Sequence, residues 1–174
     1  RSWYNRAGVE RVMGFTPMDG LMMGTRVGEM DSDIPLYLMK DKGFKLKEVE
    51  DMLNKKSGLL GISGLTQDVR DLWKASLKGN ARAKLALSLF AHKTAFFIGG
   101  YMALLGGLDA LVFSAGIGEH AWHVRRDICR YLKPLGIDLD EKLNRKNHSI
   151  IVSKPSSKVK ILVIPTNEEL QIAR

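Results

Sequence analysis

The stretch that most constrains the fold of this chain is LVFSAGIGEH, residues 111–120. Its apolar start is typical of a buried β-strand, and the strand leads directly into Gly116 and Gly118. Because glycine has no Cβ, the backbone can approach a ligand closely at both positions. We predict that a turn here carries the chain into a helix over 119–132, whose first N–H groups remain available to a polar or anionic ligand.

A second apolar run, at residues 159–164, predicts another buried strand. Two strands separated by a helix, each followed by a turn and a helix start, indicate a right-handed βαβ unit in an α/β fold. We expect the strands at 110–114 and 159–164 to be adjacent and parallel, with the helix from Glu119 packed across them. Any ligand site should lie at their carboxyl ends. A Gly-x-Gly pair after a strand also occurs in tight connections that bind nothing, so both interpretations stay open.

Size and composition exclude several classes of protein. A chain of 174 residues fits one domain, 1–174, and no apolar run reaches the eighteen or so residues that span a bilayer. We therefore expect no membrane partner. The single cysteine, Cys129, falls among apolar positions of a predicted helix and cannot form an internal disulfide. We interpret it as a packing residue and, finding no secretory signal, expect a cytoplasmic location.

The net charge of +8, from 27 Lys and Arg against 19 Asp and Glu, raises the question of a nucleic-acid partner. The basic residues are scattered along solvated faces, without interleaved aromatic residues or the pattern of a recognition helix. This distribution argues against nucleic acid. An acidic small ligand such as a nucleotide, or a missing acidic lobe of the protein, accounts for the charge equally well.

The rest of the pattern is mainly helical. It predicts an irregular start at 1–12, a glycine-rich loop at 13–33, a short helix at 34–39, and an amphipathic helix through Leu46, Val49, Met52 and Leu53. It then predicts an apolar bend at 58–64, a helix capped by Thr66, a long helix from Asn80 to Leu105, an edge strand at 150–152, and a last helix opened by 166–169. Because apolar residues cover more than one face of the long helix, we expect protein to surround it almost completely.

Three charged positions have a functional and a structural interpretation. Arg26, between Gly24 and Gly28, could present its planar guanidinium to a carboxylate or phosphate, although an isolated loop arginine is often only a surface residue. Asp68 and Glu168 stand at predicted helix starts, where a carboxylate complements the helix dipole. Beside a phosphate site, Glu168 or its neighbour would instead be a candidate magnesium ligand.

Four segments together resemble the acetate kinase family, in its order and at its spacing. They are MGFTP with GTR (13–17 and 24–26), SGLLGISG (57–64), VFSAGIGE (112–119) and PTNEE (165–169). The resemblance implies an actin-like ATPase fold, which is ribonuclease H-like. It also implies phosphoryl transfer between ATP and acetate that gives ADP and acetyl phosphate, a requirement for magnesium, and a homodimer.

The resemblance also implies roles for individual residues. Arg26 matches the arginine that neutralises the phosphoryl group in flight and holds the carboxylate, and Pro17 matches a wall of the pocket for the acetate methyl group. Glu168, with Glu169 beside it, matches the carboxylate that positions magnesium. Seven residues match the nucleotide site: Asp68, Val69, Arg70, Gly116, Ile117, Gly118 and His120. The family usually has Asn where this chain has His120, which leaves a different nucleotide preference open.

The 174 residues resemble the latter half of such a kinase, ending just short of its last helix. The family's amino-terminal lobe, with its phosphate loop, a second arginine and a catalytic Asp and His, has no counterpart here, and neither do the first strands of the carboxyl-terminal lobe. Two functions stay open: the carboxyl-terminal lobe of an acetate, propionate or butyrate kinase, or a nucleotide-binding or dimerisation fragment. We expect this polypeptide alone to lack kinase activity.

Overall fold

The computed structural model describes residues 11–146 and 150–166. The chain divides into two compact units, 1–93 and 94–174. Ten regular elements other than a 3₁₀ turn lie in the described residues. They are α1 (Asp33–Lys40), α2 (Leu46–Lys55), α3 (Gly58–Ser63), α4 (Val69–Leu77), α5 (Ala81–Leu105), β1 (Ala110–Phe113), α6 (Ala115–His120), α7 (Trp122–Leu132), α8 (Glu141–Arg145) and β2 (Lys160–Val163). The expected single domain, 1–174, stays a prediction.

Helices α1 to α4 follow the glycine-rich loop in the first unit. The predicted helices at 34–39 and from Leu46 to Leu53 are confirmed by α1 and α2. In α2 the side chains of Val49 and Leu53 are buried, as the apolar spacing requires, whereas Leu46 is 72% exposed. Leu59 of α3 and Leu72 of α4 are both fully buried.

Two local predictions in this unit are wrong. The segment predicted as an apolar bend, 58–64, is the helix α3, because the N–H groups of Leu59 and Leu60 bond to loop carbonyls and fix its first turn. The cap of α4 is Asp68 and not Thr66. The Thr66 hydroxyl instead accepts a hydrogen bond from the N–H of Asp68, which sets the carboxylate at the helix start.

The long helix α5 begins and ends where the sequence predicts. The Asn80 side chain accepts a hydrogen bond of 2.9 Å from the N–H of Ala83, and Gly106 ends the helix with a φ of +71°. The expectation that protein surrounds it is wrong for the described residues, since Phe96 is 62% and Leu104 65% exposed. One face is covered, and its buried residues are Ala83, Ala86, Leu87, Phe90, Ala91 and Ala95.

In the second unit β1 and β2 are adjacent and parallel, as predicted, with Ala110 opposite Lys160 and Phe113 opposite Val163. Only these two strands form a sheet in the described residues. The predicted edge strand at 150–152 is reduced to one isolated antiparallel bridge, between Ile151 and Leu162.

The single helix predicted at 119–132 is two helices, α6 and α7, with a break at Ala121. Gly116 and Gly118 lie inside α6 and not in a turn. The turn after β1 is made by Ala115, whose φ of +56° is rare for a residue with a side chain. The chain therefore turns one residue before Gly116, where the predicted turn begins.

The core of the second unit contains Ile137, Val152 and Ile161, each at most 1% exposed. Cys129 is 2% exposed, and burial raises the pKa of its thiol to about 12, which confirms it as a packing residue. No helix in the described part of the chain is long and apolar enough to cross a membrane.

Candidate functional site

Arg26 lies in a groove of about 480 Å³ between the glycine-rich loop and α2. The lining residues are Met23, Gly24, Thr25, Arg26, Lys47, Glu50, Asp51, Asn54, Lys55 and Gln67. Backbone and side-chain bonds fix the loop against α2. The Thr25 hydroxyl donates to the Asn54 carbonyl at 2.9 Å, and the N–H of Val27 donates to the Leu53 carbonyl at 3.0 Å. These bonds hold the loop on α2 and so fix the position of the Arg26 backbone.

Gly58 explains how α3 can begin so close to this loop. Its φ is +60°, and a Cβ there would overlap the carbonyl oxygen of Met23 and lie 2.7 Å from that of Arg26. Only glycine fits both the conformation and the space. The neighbouring N–H groups of Leu59 and Leu60 donate to the carbonyls of Met23 and Gly24 at 3.0 and 2.9 Å. The SGLLGISG segment therefore supports the loop that carries Arg26.

The charges in the groove leave Arg26 available to a ligand. Lys47 pairs with Glu50 at 3.1 Å, and Lys55 pairs with Asp51 at 2.8 Å. The hydrogen bond from Lys55 lowers the pKa of Asp51. Within the described residues, the guanidinium of Arg26 makes one hydrogen bond, to the weak acceptor Met23 Sδ at 3.7 Å. A carboxylate or phosphate would be a much stronger partner.

A second set of predicted residues lies at the carboxyl end of β1. A Cβ at Gly116 would meet no atom within 4 Å, whereas one at Gly118 would lie 3.2 Å from the backbone of Phe113. Gly118 therefore allows α6 to pack on the strand, and Gly116 faces open space. Ile117 and His120 are exposed.

Glu119 joins the ends of the two strands. Its Oε1 accepts hydrogen bonds from the N–H of Thr166 at 2.9 Å and from the Thr166 hydroxyl at 3.1 Å. These bonds, the backbone one above all, lower the pKa of the Glu119 carboxyl. Because Thr166 follows β2, the bonds tie α6 to the segment that leaves the second strand. The carboxyl ends of β1 and β2 are thus one edge, as a βαβ unit requires.

Comparison with known proteins decides the family. The acetokinase family model matches residues 4–174. The chain belongs to the acetokinase family. It is 50% identical to the acetate kinase of Dictyoglomus thermophilum over 171 residues, 98% of this chain and 43% of that protein. It is also 50% identical to the acetate kinase of Methanosarcina acetivorans over 167 residues, 95% of this chain and 41% of that protein.

Solved structures agree with this assignment. The structure of Porphyromonas gingivalis acetate kinase matches with a TM-score of 0.87 and 40% identity, over 93% of this chain and 41% of that one. A propionate kinase from Francisella tularensis matches with a TM-score of 0.88 and 44% identity, over the same shares. The acetokinase chain described here therefore has part of the actin-like ATPase fold, and it spans about two fifths of the length of these relatives.

The structure places some of the predicted acetokinase residues apart from the groove. Pro17 is exposed and is not among the residues that line the Arg26 groove. Asp68 accepts from the N–H of Arg70 at 2.8 Å and pairs with its guanidinium at 2.6 Å, which holds the pKa of the Asp68 carboxyl well below its usual range. Val69 is buried.

The remaining site assignments stay predictions. The predicted approach of 116–120 to 68–70 would join residues of the two compact units. The predicted magnesium ligand Glu168, with Glu169, lies outside the described residues. Across residues 11–146 and 150–166, no group of three or more His, Cys, Asp or Glu side chains could hold a metal ion.

Sequence reasoning missed one buried charged residue, Arg125, which is only 4% exposed. Its guanidinium donates to the carbonyls of Gly118 and Glu119 at the end of α6. The signal was its position: Arg125 stands three and four residues before the apolar Ile128 and Cys129, on the inner face of the predicted helix.

Proposed function

We propose that this chain is the carboxyl-terminal nucleotide-binding lobe of an acetate kinase, which transfers the γ-phosphoryl group of ATP to acetate. An acetate oxygen forms a bond to the γ-phosphorus as the bond from that phosphorus to the bridging oxygen of ADP breaks. The products are acetyl phosphate and ADP. The observation that carries the proposal is Arg26, which lines the groove and forms no salt bridge with a carboxylate of the described chain.

Arg26 has the chemistry that this reaction needs. Phosphoryl transfer depends on positioning and on fixed positive charge at the equatorial oxygens of the transferred group, and little on a nucleophile from the protein. The guanidinium can hold two oxygens at once, so one arginine can bind the acetate carboxylate and stabilise the phosphoryl group as it moves. Pro17 is proposed as a wall for the acetate methyl group.

The nucleotide is proposed to bind at α6, where Gly116 leaves open space and Ile117 and His120 are exposed. Asp68, Val69 and Arg70 are proposed to contact it from another side. Glu168 is proposed to hold a magnesium ion. When bound, that ion supplies positive charge at the phosphate oxygens.

A cytoplasmic homodimer belongs to the same proposal. The homodimer is supported by family membership, and the cytoplasm by a lone cysteine that is buried as a thiol. Propionate or butyrate remains an alternative to acetate, because a propionate kinase is among the structural neighbours. For the isolated 174 residues we propose nucleotide binding without kinase activity, since the chain spans about two fifths of its relatives' length.

The experiment is an acyl hydroxamate assay with ATP, magnesium and one of three acids: acetate, propionate or butyrate. The native protein that contains this chain should form acetyl phosphate fastest, and the isolated chain should form none while still binding ADP in calorimetry. If the native protein binds ADP but forms propionyl phosphate fastest, propionate would replace acetate as the proposed substrate. A native protein without ATP-dependent acyl phosphate formation would refute it.

A further inference from the structure

Arg125 is a buried cation, and within the described residues its charge is stabilised by neutral hydrogen-bond acceptors. Its Nη1 donates to the carbonyls of Gly118 and Glu119, both at 2.7 Å. Its Nε donates to Asn144 Oδ1 at 2.7 Å, and its Nη2 donates to the Asn144 carbonyl at 2.8 Å. No carboxylate in the described chain forms a salt bridge with it. Burial accordingly lowers the pKa of the guanidinium.

The two carbonyls that Arg125 binds belong to the last turn of α6. Carbonyls at a helix end have no partner within the helix, and they carry the negative end of its dipole. A helix of six residues is not stable by itself in water. The orientation of α6 therefore depends on tertiary partners. They include Arg125 at this end, the backbone of Phe113 against Gly118, and Thr166, which donates to Glu119.

Asn144 fixes the guanidinium in turn. It is 1% exposed, and its side-chain N–H₂ group donates to the Trp122 carbonyl at 2.8 Å. This bond fixes the Asn144 side-chain amide, so that its Oδ1 faces Arg125. The cluster of Arg125, Asn144 and the α6 carbonyls links α6, α7 and α8.

We propose that Arg125 is a positioning residue for the nucleotide: it holds the end of α6, so that Gly116 and Ile117 present their backbone to the ligand. This inference rests on the proposed nucleotide site at α6. Arg125 touches no substrate in the proposal and acts only through the helix. A cation with four directed hydrogen bonds suits this purpose, because the planar fork reaches two adjacent carbonyls and Asn144 together.

The test is Arg125→Lys, with Arg126→Lys as the matched control. Lysine keeps the positive charge but cannot bind both carbonyls and Asn144 in one plane. Arg126 is the next residue of the same helix, and its guanidinium donates to the Asp127 carboxylate at 2.8 and 3.1 Å. ADP titration calorimetry on the purified chain should show an affinity about tenfold lower for Arg125→Lys, the loss expected for a charge-assisted hydrogen bond. Arg126→Lys should bind ADP like the wild type.

A purely structural role predicts a different pattern. Ile137→Val lowers stability in the core of the same unit and removes none of the hydrogen bonds of the cluster. It should therefore lower the melting temperature and leave ADP affinity unchanged. In the native protein, Arg125→Lys should raise the KM for ATP and leave the KM for acetate unchanged. If Arg125→Lys does not fold, Asn144→Ala provides the same comparison, because it removes the side-chain oxygen that orients the guanidinium towards the α6 carbonyls.

Three results would overturn the inference. The first is wild-type ADP affinity in Arg125→Lys, or in Asn144→Ala where that variant replaces it. The second is an affinity loss that simply follows melting temperature across these variants and Ile137→Val. The third is equal increases in the KM for ATP and for acetate. Failure of the wild-type chain and the native protein to bind ADP would instead refute the proposed function.

Discussion

Alanine at Gly116 separates a role in nucleotide binding from a role in folding. The residue lies in α6 without a positive φ, and a Cβ there meets no atom within 4 Å. Alanine loses less backbone entropy than glycine when a helix forms, so Gly116→Ala should stabilise the chain by about 0.5–1 kcal/mol. For a chain of this size, the melting temperature should rise by about 1–4 °C.

The same methyl group should weaken nucleotide binding. The open space beside Gly116 is where we propose that the nucleotide lies, and filling a tight contact costs about 1–3 kcal/mol. ADP affinity should therefore fall by about 5- to 150-fold. The expected result is a variant that is more stable and binds ADP less well, which a general folding defect cannot produce.

Gly118→Ala is the matched control for stability. Its Cβ would lie 3.2 Å from the carbonyl carbon of Phe113 and 3.5 Å from its Cα and Cβ, so crowding against backbone offsets the entropic gain. Scanning calorimetry should show no rise in melting temperature for Gly118→Ala and a rise for Gly116→Ala. A Gly116→Ala chain that binds ADP as tightly as the wild type in titration calorimetry would refute the reasoning.

Two further predictions concern the metal and pH. In the native protein, Glu168→Ala should raise the magnesium concentration needed for half-maximal activity, and excess magnesium should restore part of the rate; an unchanged magnesium dependence would contradict this role. Burial lowers the pKa of His123 to about 4. Its imidazole is therefore protonated near pH 6.5 in the unfolded chain but only at lower pH in the folded chain. Stability should therefore fall as pH drops from about 6.5 towards 4. The decline should be smaller in His123→Phe, measured as melting temperature against pH, and an equal decline would argue against this histidine as its source.

The sequence was sufficient to predict those helices and strands whose apolar pattern is compatible with only one type of secondary structure. The runs at 110–114 and 159–164 were predicted as parallel strands, and Asn80 was predicted as the cap of the long helix; both are confirmed. Structural features that depend on tertiary contacts were not predictable from the apolar pattern. The helix α3 begins at Gly58 because loop carbonyls bind its first N–H groups, and no local pattern contains that information.

The candidate site shows the same limit. Gly116 and Gly118 were predicted to form the turn after β1, but Ala115 adopts the positive φ and both glycines enter α6. Arg125 was missed because a charged residue on a helix is usually solvated. This one is instead satisfied by the carbonyls at the end of α6 and by Asn144, which is 19 residues away. The resemblance found Arg26 from its motif, and the groove around it became visible only when α2 was placed against the loop.

The most direct test of the central claim is the turnover of the native protein with ATP and acetate, measured beside that of Arg26→Lys. Lysine preserves the charge but loses the planar pair of donors, so the loss should fall mainly on kcat, by about 2–3 kcal/mol of transition-state stabilisation or roughly 30- to 150-fold. The melting temperature should not change, because within the described residues the guanidinium of Arg26 makes only one weak hydrogen bond, to Met23 Sδ. The account predicts rapid acetyl phosphate formation by the wild type and this selective loss in the variant. An Arg26→Lys protein with wild-type turnover would contradict it.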